Sequence, residues 1–252
     1  MVTDLNFLGA FELRDVIALA CLLSAWIWIG WRIEHPSPAR PSVSKLMAAY
    51  RRLWMYEMVT RKPRIFDAQV VASMRQGASF FASATMIALG GGLALLGNTD
   101  ALDALSGDLR LGNAPAIVWE AKIFVLVIML VNSFLKYVWS HRLFGYCSVM
   151  MAAVPNDPHS PLVYARADQA AELSITAARS FNRGLRATYF ALACTAWLLG
   201  AAALLVATAI TVGVLWRREF SSRSRKVLLQ DTPTAEFFAR EREVRTAARR
   251  VE

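Results

Sequence analysis

The amino-acid sequence predicts an all-α membrane protein, a polytopic bundle of helices. Its 252 residues are 56% hydrophobic, and the mean hydropathy of the chain is +0.37. Three runs hold no charged side chain, at residues 16–31, 76–99 and 187–216. Soluble cores rarely need uncharged runs of about 18 residues or more, whereas a membrane-spanning helix needs about 20 apolar residues. The chain is therefore expected to cross a membrane several times.

We expect one membrane domain over residues 1–226 and a charged C-terminal tail over residues 227–252. An amphipathic helix over about 44–60 is predicted between the first two hydrophobic segments, on the cytoplasmic side. The hydrophobic segments are predicted at about residues 16–31, 77–98, 116–140 and 187–216.

Cysteine usage and net charge narrow the classes of function. The three cysteines (Cys21, Cys147 and Cys194) have no paired spacing, so neither a disulfide framework nor a zinc knuckle is indicated. The formal net charge is +9, and the basic residues flank the hydrophobic segments. Anionic lipid headgroups lie at that depth, so the charge favours a membrane surface over nucleic acid as the partner.

The first hydrophobic segment is expected to be retained as a span rather than cleaved as a signal peptide. A signal peptide needs a basic stretch in front of its apolar run. Here Asp4, Glu12 and Asp15 precede the run, against a single Arg14. The slightly acidic N-terminus also predicts that this end lies on the translocated side.

The loop that follows, residues 32–75, has nine basic and three acidic side chains and is expected in the cytoplasm by the positive-inside rule. Within it, the predicted helix over Ser44–Thr60 has an apolar side and a basic side. Two interpretations stay open: the helix lies on the membrane surface, or it packs on the protein's own cytoplasmic face. The side chains expected to contact lipid headgroups are Arg51, Arg52, Arg217 and Arg218.

Small residues recur along the second hydrophobic segment. Ala84, Ala88 and Gly92 follow one another at four-residue spacing and so share one side of a helix. Small side chains let two membrane helices approach closely, and the resulting van der Waals contacts favour association although the hydrophobic effect does not drive helices together in lipid. We predict a helix-packing face there. The triplet over 90–92 is not expected to bind phosphate, because no strand precedes it.

The third hydrophobic segment carries a polar stripe. Trp119 and Trp139 lie twenty residues apart, about 30 Å of helix, which matches the hydrocarbon thickness of a bilayer. Polar side chains of this segment share about a third of the helix circumference. The members of the stripe are Lys122, Asn132, Ser133 and Lys136.

Two interpretations of the stripe stay open. Lys122 and Lys136 lie near opposite ends of the segment, so each can extend its ammonium group toward an interface. Alternatively, the stripe faces the interior of the bundle and binds an anionic group or a partner helix. A catalytic dyad of Ser133 and Lys136 fits the spacing, although such pairs are common in packed spans.

The last hydrophobic segment is too long for one ordinary span. The thirty residues from Ala187 to Trp216 make about 45 Å of helix, and one span would need a tilt of about 48°, beyond the usual range. It would also place the basic residues after Trp216 on the translocated side. A break near Gly200, with the chain turning back, resolves both conflicts, although each leg is then short. We prefer this hairpin, which puts the N-terminus outside and the C-terminus in the cytoplasm.

Signals for catalysis or cofactor binding are weak. His35 and His141 are expected at the cytoplasmic edge, whereas haem in a bundle needs histidines inside facing helices. The sequence lacks the motifs of serine hydrolases and zinc peptidases. We expect no catalytic residue, no metal ligand and no cofactor.

Four blocks of the sequence resemble the domain of unknown function 599 family, a group of membrane proteins of bacteria and plants. The blocks are RRLWMYEMV (51–59), RIFDAQVVASMRQGASFFASATMIALGGG (64–92), WEAKIFVLVIMLVNSFLKYVWSHRLFGY (119–146) and SFNRGLRATYFALACTAWLLG (180–200). They occur in order over most of residues 30–220. The resemblance implies an integral membrane protein, and it transfers no catalytic or ligand residue.

The sequence therefore favours a non-enzymatic protein of the bacterial inner membrane. We expect a scaffold, an assembly factor or an accessory subunit that binds another membrane protein or further copies of itself. The alternative is a small oligomeric transporter or channel that uses the stripe for an anionic or polar solute. An intramembrane enzyme or a haem protein comes third. The small number of spans and the lack of a visible repeat between the halves weigh against a monomeric transporter.

Overall fold

Helices make up all the regular structure in the part of the chain that the computed structural model describes, residues 12–96, 98 and 116–230. The prediction of an all-α protein is confirmed. Residues 1–11, 97, 99–115 and 231–252 lie outside the described residues. In chain order the helices are α1 (Leu13–Glu34), α2 (Val43–Thr60), α3 (Ile65–Leu96), α4 (Ala116–Ala152), α5 (Val163–Thr195), a short 3-10 helix (Ala196–Leu199), α6 (Ala201–Phe220) and α7 (Arg223–Leu229).

Four helical stretches among the described residues are long and apolar enough to cross a membrane. α1, α3 and α4 correspond to the first three predicted hydrophobic segments, and the fourth stretch begins at Ala201. α3 and α4 are longer than predicted, because α3 begins twelve residues earlier and α4 ends twelve residues later. Each is roughly 50 Å long against a hydrocarbon thickness of about 30 Å, so a substantial part of each helix must lie outside the apolar core.

The chain breaks at Gly200, between α5 and α6. Gly200 has φ +110° and ψ 169°, a conformation that glycine adopts readily and that is strained for any residue with a side chain. Just before it, Ala196–Leu199 tighten into a 3-10 helix. The break lies where the sequence placed it. The helical segment before the break is not short, however, because residues 187–195 are the end of α5, a helix of 33 residues.

The chain divides into two compact units. The single membrane domain over 1–226 and the charged tail over 227–252 stay predictions. Of the described residues, unit 1 holds those within 12–31, 76–140 and 180–215, and unit 2 holds those within 32–75, 141–179 and 216–230. α1, α3, α4, α5 and α6 each have one end in unit 1 and the other in unit 2. α5 therefore carries the chain into unit 1, and α6 carries it back to unit 2 after the break at Gly200.

Unit 1 holds the apolar ends of these helices. Its described residues carry only five basic side chains. A buried cluster of Leu89 from α3 with Trp119, Ile123 and Val127 from α4 joins these two helices. Many large apolar side chains of unit 1 remain exposed on the single chain, as expected for a surface that faces lipid.

Unit 2 holds most of the charge: its described residues carry seventeen basic and seven acidic side chains. Its buried cluster includes Met55 and Met58 of α2, Phe144 and Cys147 of α4, and Ala170 of α5. α2 thus buries its apolar side against protein. Of the two interpretations of the predicted helix over 44–60, this geometry corresponds to packing on the protein itself.

The start of α2 is determined by Ser42. Its Oγ accepts a hydrogen bond from the backbone N–H of Lys45 at 3.2 Å, which caps the first turn. The same hydroxyl donates to the backbone oxygen of Ile33 at 2.8 Å. Ser42 is fully buried, so one side chain both begins α2 and holds it to the end of α1.

Candidate functional site

The polar stripe of α4 faces protein along much of its length. Ser133 is fully buried and Lys122 is 9% exposed, whereas Asn132 and Lys136 are partly buried. The other side of α4 is apolar and open, which suits contact with lipid. Its exposed side chains include Phe124, Ile128, Val131 and Leu135.

Ser133 belongs to a hydrogen-bonded group that joins α4 to α5. Ser133 Oγ donates to the backbone oxygen of Gly184 at 2.9 Å and lies 2.6 Å from Thr188 Oγ1. The Tyr137 hydroxyl lies 2.9 Å from the same Thr188 oxygen. Each of these polar groups has a partner inside the protein, so the group has the geometry of a packing contact rather than of a solvated path.

Gly184 allows α5 to approach α4 at this point. A Cβ atom on Gly184 would lie 2.8 Å from Tyr137 Cε1, closer than any side chain tolerates. Phe81 of α3 and Phe181 of α5 surround the Tyr137 ring, with ring centroids 5.4 and 5.5 Å away. Sequence reasoning did not identify Tyr137, Gly184 or Thr188. The pattern that could have identified them is a four-residue spacing, which puts Ser133 and Tyr137 on one side of α4 and Gly184 and Thr188 on one side of α5.

Lys136 contributes its backbone to the same interface. Its carbonyl oxygen accepts a hydrogen bond from Ser180 Oγ at 2.9 Å, and its side chain is partly buried. Because the Ser133 hydroxyl is bonded to α5, it is not held by the Lys136 amine as a catalytic dyad requires. The spacing that fits a dyad serves helix packing here.

Lys122 lies in a second polar group, near the start of α4. Its Nζ donates to the backbone oxygen of Trp197 at 3.2 Å. The ammonium also lies 5.2 Å from the ring centroid of Trp119 and 5.7 Å from that of Trp197, within range of cation–π attraction. Trp197 Nε1 in turn donates to Asp15 Oδ1 at 2.6 Å. We call Asp15, Trp119, Lys122 and Trp197 the Lys122 group.

The Lys122 group connects three distant parts of the sequence within unit 1. Asp15 is in the first turn of α1, Lys122 follows the first turns of α4, and Trp197 precedes the break at Gly200. Sequence reasoning singled out Lys122 and Trp119 and missed their association with Asp15 and Trp197. Asp15 directly precedes the first uncharged run, and Trp197 lies three residues before the predicted break at Gly200; these positions were the available signal.

The predicted packing face of α3 divides into one buried and two exposed residues. Gly92 is buried, and a Cβ atom there would lie 2.8 Å from Val127 Cγ2 of α4. Ala84 and Ala88 are exposed on the single chain. Within the chain, α3 instead buries Thr85 and Leu89. Packing through Ala84 and Ala88 therefore stays a prediction about a second chain.

Two of the four arginines predicted to contact lipid headgroups, Arg51 and Arg52, have protein partners, and their contact with lipid stays a prediction. Arg51 NH1 donates to Ser174 Oγ at 2.9 Å and to Met74 Sδ at 3.1 Å, and Arg52 forms an ion pair with Glu172. Burial lowers the pKa of Arg51 from its usual value, although the guanidinium stays charged. These partners come from the packing of α2 against α3 and α5 within unit 2.

Arg217 and Arg218, the other two predicted headgroup contacts, are exposed near the end of α6. Their contact with lipid stays a prediction. Nearby residues tie the end of α6 to α2: Glu219 accepts hydrogen bonds from Ser44 N–H at 3.0 Å and from Ser44 Oγ at 2.9 Å.

A buried ionic group that sequence reasoning missed lies in unit 2. The carboxylate of Asp67, fully buried, accepts from Trp54 Nε1 at 2.7 Å and from Arg61. Arg64 donates to the backbone oxygens of Val154 and Pro155, both at 2.8 Å. These contacts hold the start of α3 to α2 and to the segment after α4. The hydrogen bonds that these residues form are all within the protein, although Asp67 Oδ2 and Arg64 Nε are buried without a partner among the described residues.

Among the described residues, no three histidine, cysteine, aspartate or glutamate side chains lie close enough to hold a metal ion. His141 Nε2 accepts a hydrogen bond from Arg75 Nε at 3.0 Å. This imidazole thus has a protein partner within unit 2.

Comparison with known proteins gives one match. The family model described as "Protein of unknown function, DUF599" matches residues 17–224, most of the chain. No curated protein and no solved structure matches the chain. The matched range includes all the helices that can cross a membrane, in whole or in large part, and the match assigns no role to any residue.

Proposed function

The chain belongs to the DUF599 family, whose function is unknown, and we propose that it is a non-enzymatic integral protein of the bacterial inner membrane. Its role is that of a scaffold, assembly factor or accessory subunit of a membrane complex. The observation that carries the proposal is the use of the polar stripe of α4. The Ser133 hydroxyl is bonded to α5 within the chain, whereas a transporter needs intramembrane polar groups that face a solute path.

The distribution of charge supports an orientation with the N-terminus outside and the C-terminus in the cytoplasm. Basic side chains are concentrated in unit 2, with seventeen among its described residues against five in unit 1. The positive-inside rule then places unit 2 in the cytoplasm. This orientation requires five crossings, with the end of α5 as a crossing in addition to α1, α3, α4 and α6, because an odd number puts the two termini on opposite sides.

The outer surface of α3 supports association with another membrane helix. Of the four helical stretches that can cross a membrane, α3 has the smallest buried fraction. Only 11% of its apolar 18-residue window is buried within the chain. Ala84 and Ala88 lie on its exposed surface, and Cβ atoms on Gly90 and Gly91 would meet nothing within 4 Å. A smooth, exposed helix of this kind allows close approach of a second helix. We propose a second copy of the chain as its partner.

Oligomeric mass in lipid nanodiscs tests the proposal, with a matched pair of variants. Ala88→Leu adds bulk to the smooth surface, whereas Ile87→Leu keeps the volume at a neighbouring residue that is 78% exposed. We expect native mass spectrometry to find an oligomer for the wild type and for Ile87→Leu, and mainly monomer for Ala88→Leu.

A strictly monomeric wild type whose proteoliposomes accumulate an anionic solute would contradict the scaffold and favour the transporter. An oligomer that Ala88→Leu leaves intact would keep the scaffold and remove α3 as its interface.

A further inference from the structure

Among the described residues, the Lys122 group has more N–H donors than acceptors bonded to them. An ammonium has three N–H donors, and within the described part of the chain one of them has an acceptor, the Trp197 oxygen. The indole N–H of Trp119 is buried and likewise has no partner among the described residues. Trp119 is 2% exposed, so its N–H is shielded from bulk solvent. An unpaired buried N–H of this kind is costly unless something else occupies the position opposite it.

The positive charge of Lys122 is not cancelled at contact distance. Asp15 attracts the ammonium, but the described residues include no ion pair between them. Asp15 Oδ1 is instead engaged by Trp197 Nε1. The two indole rings beside Nζ stabilise a cation without neutralising it. Within the described part of the chain, the group therefore combines a positive charge that no ion pair at contact distance neutralises with N–H donors that have no acceptor.

The position of the group brings it within reach of ligands at a membrane surface. Asp15, Lys122 and Trp197 all lie close to helix ends in unit 1, at the start of α1, near the start of α4 and just before the break at Gly200. Ends of membrane-spanning helices lie near the headgroup layer, where phosphate groups and dissolved anions are both available.

From these observations we propose that Lys122 and Trp119 bind an oxyanion, with the Lys122 ammonium and the Trp119 indole N–H donating to its oxygens. A phosphate or carboxylate has several lone pairs and a negative charge, which together satisfy both donors and the retained positive charge. The oxyanion is either the phosphate of a phospholipid headgroup or a small dissolved anion. The site is distinct from the α3 surface on which the scaffold proposal depends.

Binding to the purified full-length protein in a non-ionic detergent tests the site with three probes: phosphatidylglycerol, inorganic phosphate and acetate. Native mass spectrometry measures retained phosphatidylglycerol, and isothermal titration calorimetry measures the two small anions. Lys122→Met removes the charge and keeps an unbranched apolar stem. Trp119→Phe removes the indole N–H and keeps an aromatic ring. Lys136→Met is the control and removes the other lysine of the α4 stripe.

We expect Lys122→Met to weaken binding about tenfold or more and Trp119→Phe about three- to tenfold, because each removes a hydrogen bond to a charged group. Lys136→Met should bind like the wild type, and Lys122→Arg should restore much of the affinity. Retention of phosphatidylglycerol without binding of the small anions identifies the headgroup as the ligand. Binding of phosphate or acetate identifies a dissolved anion.

Equal affinity of the wild type and Lys122→Met for every probe, or no binding of any probe by the wild type, would overturn the site. If Lys122→Met does not fold, judged by its elution volume and melting curve, Trp119→Phe decides the question. A folded Trp119→Phe protein with wild-type affinity would then overturn the role of the indole N–H, and with it the site as proposed.

Discussion

Gly184 and Tyr137 meet where α5 packs against α4 in unit 1. With no side chain on Gly184, the backbone of α5 comes close enough for Ser133 Oγ to reach the Gly184 oxygen at 2.9 Å. The Tyr137 ring fills the space where a Cβ atom would be. A single residue thus allows both the aromatic contact and the hydrogen bond. In a membrane, where apolar burial between helices gains little, such close contacts provide much of the packing energy.

Replacing Gly184 with Ala should destabilise the protein by about 1–3 kcal/mol, since the new methyl group overlaps the Tyr137 ring. Thermal unfolding in detergent measures the effect. Gly145→Ala is the matched control, because a Cβ atom there meets nothing within 4 Å in the same helix as Tyr137. That control should be neutral or gain up to about 1 kcal/mol from helix propensity. A Gly184→Ala protein as stable as Gly145→Ala would show that α5 can move away at no cost.

At the scale of elements, the break between α5 and α6 depends on one backbone conformation. Gly200 has φ +110°, and its backbone N–H donates to the Trp197 oxygen at 3.0 Å. The same Trp197 oxygen accepts from Lys122 Nζ. The turn is therefore held by the backbone of Gly200 on one side and by a side chain of α4 on the other.

Gly200→Ala should cost about 1–3 kcal/mol, because a residue with a side chain is strained at this φ and ψ. The comparison is with Gly213→Ala in α6, where a Cβ atom meets nothing within 4 Å. Denaturation by heat of both variants in the same detergent gives the difference. Equal melting temperatures of the two variants would mean that the chain can turn without the positive φ of Gly200.

A second element-scale contact joins α6 to α2 inside unit 2. The Glu219 carboxylate accepts from both the backbone N–H and the hydroxyl of Ser44, in the first turn of α2. A negative charge near a helix N-terminus also interacts favourably with the helix dipole. Arg40 donates to Ser221 Oγ at 3.0 Å, and Arg225 donates to the Pro41 oxygen at 2.9 Å. Glu219 is the residue in this contact that bonds directly to α2.

Glu219→Ala should therefore lower stability by about 1–2 kcal/mol, since it leaves two donors at the start of α2 without their acceptor. Glu57→Ala, an exposed glutamate on α2 itself, removes the same charge at a solvated position and should change stability by about 0.5 kcal/mol or less. Chemical denaturation measured by tryptophan fluorescence distinguishes them. A loss of similar size in both variants would point to net charge rather than to the Ser44 contact.

At the scale of the whole molecule, the proposed orientation follows from where the basic residues collect. The segment over 32–75, the segment over 141–179 and the start of the C-terminal region all belong to unit 2. These segments are far apart in sequence, and each is bounded by helices that enter unit 1. One compact, basic unit on one side of the membrane accounts for all three by the positive-inside rule.

Topology reporters test this orientation. A cytoplasm-only fluorophore fused after Glu252 should be bright, and alkaline phosphatase fused at the same point should be inactive. The matched control is a phosphatase inserted among residues 99–115, between α3 and α4 in the sequence, which should be active. An active phosphatase after Glu252 would place the C-terminus outside and contradict the five crossings.

The sequence by itself determined the class of the protein. Uncharged runs of up to thirty residues cannot be solvated, so hydropathy alone predicts helices that cross a membrane. It also located the break, because a run of that length with basic residues beyond it fits neither one span nor the positive-inside rule. Ser44–Thr60 was predicted to within a residue at its start, since the alternation of apolar and basic sides is a local property.

The tertiary structure alone decided which polar groups have partners. Nothing in the local sequence joins Asp15 to Trp197 or Ser133 to Gly184, because these pairs lie tens to hundreds of residues apart and meet only when the helices pack. The same holds for Arg51, whose helix has an apolar side that suits lipid and protein equally well. A hydrophobic pattern predicts that the apolar side of a helix is buried against protein or lipid. Only the packing of the other helices decides what covers it, and so which charges stay available to a ligand or a lipid.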